Sequence, residues 1–197
     1  MNDTKILDVP SAYSELVRKS VEIGFTMPSD IHIGNLLKTL VASKPSAHIL
    51  ELGTGMGLSL SWMVAGMDGS SRLITVDNDL KLCHIAKKYF GNDQRVDIVC
   101  EDASMWLKNY TGEAFDLIFA DAWPGKYSDI DKTLDLLKPN GFYVIDDMSH
   151  QPNWPEGHQL HVMDLIGYLE EREDFNVTKM DWSTGVIIAV KTKTTSK

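Results

Sequence analysis

Five short apolar runs, each ending in or beside an acidic residue and each followed by a segment of helical periodicity, constrain this 197-residue chain more than any other feature. The acids are Glu51, Asp77, Asp102, Asp121 and Asp146. Strands alternating with helices in this way predict a parallel sheet with right-handed crossovers, covered on both faces. Two later runs, Phe175 to Asp181 and Gly185 to Val190, are joined only by Trp182-Ser183-Thr184 and should pair antiparallel. The expected fold is therefore α/β: a Rossmann-like, doubly wound, mostly parallel seven-stranded sheet with an antiparallel C-terminal strand pair and helices on both faces. Such sheets bind ligands at the carboxyl ends of their strands, near the topological switch point. Placing five acids along that edge is costly unless something there uses them.

Local punctuation sets the boundaries. Helices are expected from Ser11 to Ser20, from Ser29 or Asp30 to just before Lys44-Pro45, from Leu80 to Phe90 with Gly91 as the stop, from Ile130 to Leu137, and from about Gln159 to Glu171. Strands are expected at Arg72 to Val76, Arg95 to Val99, Phe115 to Ala120 and Phe142 to Ile145, the last introduced by Pro139-Asn140-Gly141. The loop from Gln151 to His158 carries Pro152, Trp154 and Pro155 and reads as a substrate wall or lid. The length suits one domain over residues 1–197, with an N-terminal helical segment at 1–28 and a frayed Lys/Thr-rich tail at 192–197.

Composition enters mainly as exclusion. A net charge of −9 argues against unaided nucleic-acid binding, because backbone phosphates require a basic footprint. No basic start runs into an apolar stretch and nothing approaches membrane-spanning length, so a soluble, cytoplasmic protein with no membrane partner is expected. Cys83 and Cys100 sit in apolar-patterned segments without metal-type spacing and read as buried, inert thiols.

Within this frame the stretch from Ala47 to Met63, AHILELGTGMGLSLSWM, reads as strand, tight turn and helix. Gly53, Gly55 and Gly57 allow positive φ and close approach of a ligand, and the amides at the helix start are expected to face an anionic group. A dinucleotide fingerprint would be GxGxxG, whereas here the third glycine comes one residue early. That spacing disfavours a nicotinamide dehydrogenase. Asp77 can accept two hydroxyl hydrogens at once or cap the next helix, and Asp102 can meet a ligand or cap the helix that starts at Ala103. Trp106 reads as core.

The ExGxGxG turn with Asp77 at the end of the next strand resembles the class I S-adenosylmethionine-dependent methyltransferases, over roughly Met27 to Val190. Within them the chain is most similar to the small cation-dependent, catechol O-methyltransferase-like enzymes. That likeness rests on Glu51-Leu52-Gly53 with Ser59, on Asp121-Ala-Trp-Pro-Gly-Lys-Tyr127, and on Asp146-Asp147. The resemblance implies that Glu51, Gly53, Gly55, Gly57 and Ser59 hold the methionine part of S-adenosylmethionine. It implies Asp77 on the ribose and Asp102 and Ala103 at the adenine, with Asp121 bordering the cofactor. It further implies Asp121, Asp146 and Asp147 as ligands of a divalent cation, Mg²⁺ above others, which would bind a small-molecule hydroxyl and stabilise it as the anion. The segment Met27 to His32 would cover the cofactor.

The chain departs from that pattern in two places. Asp147 stands where asparagine is common, and the position of the family's basic lysine is Pro124. Lys126, two residues on, and His150 are the rival candidates for the catalytic base, the lysine being a poor one if exposed at its ordinary pKa. Three alternatives stay open: metal-independent methyl transfer to an amine or carboxylate, aminopropyl transfer, and a catalytically silent cofactor-binding module. Both monomer and homodimer occur among the enzymes it resembles.

Overall fold

The computed structural model describes residues 5–151 and 154–192; Pro152 and positions 193–197 of the expected tail lie outside the described residues. Seven strands form one sheet: β1 (His48–Leu52), β2 (Arg72–Asp77), β3 (Val96–Cys100), β4 (Phe115–Ala120), β5 (Leu137–Ile145), β6 (Phe175–Met180) and β7 (Val186–Lys191). Their spatial order is β3-β2-β1-β4-β5-β7-β6. The first five run parallel, and β7 lies antiparallel to both β5 and β6. The expected α/β architecture is thus the observed one, with the switch point between β1 and β4.

Among the described residues there are seven helices, two before the first strand and five between strands: α1 (Ser11–Ile23), α2 (Ile31–Ala42), α3 (Leu58–Gly66), α4 (Leu80–Phe90), α5 (Ala103–Asn109), α6 (Ile130–Asp135) and α7 (His158–Glu170). Side-chain alternation along the strands divides the core in two. Ile49, Leu117, Phe119 and Val144 face one way, onto Leu37 of α2 and Trp62 of α3. Leu50, Ile118, Tyr143 and Ile187 face the other way, onto Trp106 of α5 and Leu165 of α7. Trp106 is accordingly core, as its sequence context suggests. Every residue from Leu58 to Met63 is buried and only Ala65 in the last turn is exposed, so α3 is a core helix with no amphipathic pattern to betray it.

Three of the helix starts follow capping aspartates. Asp30 caps α2 through the amide of His32, Asp79 caps α4 through those of Lys81 and Leu82, and Asp102 caps α5 through that of Met105. Most boundaries fall within a residue or so of expectation, and three differ by two residues or more. α1 runs three residues further, to Gly24 in the left-handed conformation. α6 ends early at Asp135, and β5 opens at Leu137, paired with Phe115, before a bulge carries Lys138 to Gly141 out of register. Proline and glycine there signal a bulge within a strand rather than its start. Cys83 is buried as expected, but Cys100 is exposed, because it closes an edge strand with only one neighbour. Among the described residues no helix is long and apolar enough to cross a membrane.

Candidate active site

A cavity of about 980 Å³ opens at the carboxyl ends of β1, β2, β4 and β5. Its first side is built by the β1–α3 turn and the end of β2. Gly53, Gly55 and Asp77 line it, as do Asp102 and Ala103 at the start of α5. Asp77 is the hinge of this side: one carboxylate oxygen accepts the Gly55 amide at 2.7 Å and the other accepts the Asp79 amide at 2.8 Å. The two loops that frame the cavity are thereby tied together through one side chain. Phe25, Met27 and Asp30, from the segment before α2, close the cavity over this side.

The turn works differently from its sequence reading. Gly53, Gly55 and Gly57 all take positive φ, yet their amides are already engaged: Gly53 N–H donates to Val76, Gly55 to Asp77 and Gly57 to Thr54. The glycines therefore contribute shape and close packing rather than free donors. Ser59 and Glu51 also leave the cavity. The Ser59 hydroxyl donates to Glu51 at 2.5 Å, Thr75 donates to the second Glu51 oxygen, and both Glu51 and Ser59 are buried beneath α3. Neither lines the cavity, nor does Gly57. The reason is geometric: Glu51 lies one residue inside the strand end, where alternation turns it onto the α3 face.

Burial raises the Glu51 carboxyl to about 8, against the lowering effect of the two hydroxyls. A carboxyl whose folded pKa lies above its unfolded value stabilises fully below the unfolded pKa, and that contribution is lost as pH rises towards the folded one. Wild-type protein should therefore lose stability from about pH 4.5 to 8 relative to Glu51→Gln, which has no proton to release. Melting temperatures of the two proteins across this range check it; a constant difference overturns it.

The second side of the cavity is built by the loops after β4, β5 and β6. Asp121, Lys126, Asp146, Asp147 and Thr184 line it. Lys126 is only 5 % exposed, so the condition under which it would be a poor base, exposure at its ordinary pKa, is not met. Gly125 explains this. It takes φ +87 at a point where a Cβ would stand 2.2 Å from Leu52 Cδ1, and its amide donates to the Ser128 carbonyl in a tight turn that directs Lys126 inward. The ammonium donates to the Asp146 main-chain carbonyl at 2.6 Å. Burial holds Lys126 below the ordinary lysine range, while Asp121, Asp147 and Asp146 pull it back up. Burial and then Asp146 hold the Asp121 carboxyl well above the usual carboxylate range, and burial and then Asp147 push Asp146 up to about 6.

These side chains do not make the expected cation site. One Asp146 oxygen accepts both the Thr184 hydroxyl and the Asp147 amide, and Lys126 brings a positive charge to the same end of the cavity. Among the described residues no three Asp, Glu, His or Cys side chains converge as a ligand set. The donor set fits a lysine already in place rather than a divalent ion. His150 is exposed and outside the cavity, edge-on to Trp154. Instead His158 lines it, with Nε2 3.2 Å from the Tyr127 hydroxyl, and Trp154 and Trp123 complete an aromatic wall. Trp154 confirms part of the Gln151–His158 loop as cavity lining. Thr184 had no sequence signal beyond its place in a strand-joining turn.

Solved structures with the same fold include an O-methyltransferase from Streptomyces achromogenes, involved in tomaymycin synthesis and bound to S-adenosylmethionine. It superposes with a TM-score of 0.84 at 22 % identity, over 97 % of this chain and 94 % of that one. A Bacillus cereus O-methyltransferase in complex with S-adenosylhomocysteine gives 0.81 at 20 % identity, over 96 % and 94 %. In sequence, a candidate O-methyltransferase of Mycobacterium avium is 30 % identical over 118 residues, which is 57 % of this chain and 53 % of that protein. The chain thus matches about half the length of such curated relatives. Residues 50–148, from β1 through the acidic pair after β5, match the methyltransferase-domain family model. Half of the chain carries that match, it covers both sides of the cavity, and the chain belongs to the methyltransferase-domain family.

Proposed function

We propose that the protein transfers the methyl group of S-adenosylmethionine to a hydroxyl of a small-molecule acceptor. The observation that carries this reading is a single cavity with Asp77 and Asp102 on one side and Asp121, Lys126, Asp146 and Asp147 on the other. Asp77 suits the ribose diol and Asp102 the adenine amino group, since ionised carboxylates accept hydrogen bonds without donating any. The cofactor's sulfonium and ammonium suit an acidic strand edge. Support also comes from the methyltransferase family match and from the cofactor named in the two superposed structures.

The reaction is a displacement. The acceptor oxygen, its proton lost to water, attacks the sulfonium methyl; the carbon–sulfur bond breaks with its electron pair going to sulfur, leaving a methyl ether and S-adenosylhomocysteine. Holding oxygen, carbon and sulfur in line supplies much of the acceleration. Of the other readings, the metal-independent one gains support from the placement of Lys126, whereas an ammonium acceptor would be repelled by it. Calorimetry with S-adenosylhomocysteine tests the proposal: saturable one-to-one binding is expected, and absence of binding overturns it.

A further inference from the structure

The acidic end of the cavity contains one cation of its own. Lys126 Nζ is buried, lines the cavity and spends one N–H on the Asp146 carbonyl oxygen. An ammonium carries three donors, so two remain. Asp121, Asp146 and Asp147 act on it by charge, and the tight turn at Gly125 fixes its direction. Trp123, Tyr127 and Trp154 line the same cavity as Lys126, an aromatic surface suited to a planar acceptor.

Resting on the methyl-transfer reading, we propose that the Lys126 ammonium takes the place of the divalent cation and receives the acceptor's oxyanion at a single point. The consequence concerns substrate class. A hexacoordinate ion can hold two adjacent hydroxyl oxygens, whereas a lysine offers a compact point charge. Acceptors with one ionisable hydroxyl, phenols among them, are then bound as well as vicinal diols. The acceptor's proton leaves to water, and Lys126 keeps its own throughout; it stabilises the anion rather than acting as the base.

The test uses Mn²⁺ and 4-nitrophenol as probes. Added to wild-type protein, Mn²⁺ should remain free by electron paramagnetic resonance, whereas Lys126→Met, which removes the charge and keeps the bulk, should take it up. 4-Nitrophenol added to the wild-type complex with S-adenosylhomocysteine should bind as the yellow phenolate, and its affinity should fall at least about a hundredfold in Lys126→Met, the scale of losing one oxyanion donor. Stoichiometric Mn²⁺ uptake by wild type that is lost in Asp146→Asn overturns the proposal, as does 4-nitrophenol bound in its neutral form. Should Lys126→Met fail to fold, the wild-type Mn²⁺ and absorbance measurements decide alone. The Mn²⁺ arm needs no cofactor, so failure of S-adenosylhomocysteine binding would count against the methyltransferase reading without deciding the role of the lysine.

Discussion

Asp77→Ala is expected to weaken S-adenosylhomocysteine binding by roughly two to three orders of magnitude. Two losses combine. Hydrogen bonds to a charged acceptor contribute about 1.5–3 kcal/mol each, and a ribose diol offers two of them. The same side chain also accepts the amides of Gly55 and Asp79, so its removal unties the β1–α3 turn from the β2 loop and leaves two amides to find water. Asp77→Asn separates these effects. Its remaining carbonyl oxygen can still hold the Gly55 amide, while its NH₂ cannot accept a hydroxyl, so the loop stays in place with reduced affinity. Calorimetry on both variants checks the order: wild type tightest, asparagine next, alanine weakest. Equal affinity of wild type and alanine would remove Asp77 from the cofactor site.

Gly53→Ala should have a large effect on stability. Gly53 has φ +102, and a Cβ there would lie 2.6 Å from the Asp121 carbonyl oxygen and 2.9 Å from its carbon. Both are main-chain atoms, and they cannot swing aside. Asp121 is held in turn, its amide donating to Leu52 at 2.9 Å, while the Gly53 amide donates to Val76. Positive-φ strain costs about 1–3 kcal/mol and overpacking a further 1–3. For a chain of this size that lowers the melting temperature by roughly 10 °C. Gly55→Ala is the control, because φ +51 lies in the left-handed region open to other residues and the nearest atom to its Cβ is the Phe25 ring at 3.5 Å. Comparable losses in the two variants would show that the crowding at Asp121 is not what matters.

Much of this was legible in the sequence because a parallel sheet gathers the carboxyl ends of its strands. Asp77, Asp102, Asp121 and Asp146 each end a strand or follow it within two residues, so knowing the strands is enough to bring them together. What could not be read is the partner each group takes from far along the chain. Ser59 is eight residues from Glu51 and Thr75 is twenty-four, and only the folded turn makes the three a closed network. Thr184 reaches Asp146 across thirty-eight positions because the antiparallel β6–β7 connection returns to the same edge. Lys126 could be named as a candidate but not placed, because charged side chains are rarely buried and nothing local marks this one as an exception. Its inward course depends on the backbone of Gly125, which the sequence names but does not orient.

The switch point between β1 and β4 also divides the cavity by ancestry along the chain. Everything set against the cofactor side comes from residues before 105, and everything on the lysine side comes from residues after 120. The two sides meet only at the sheet edge. A lineage could therefore exchange one acceptor for another by varying Trp123, Tyr127, Trp154 and His158, while its methyl donor stayed the same.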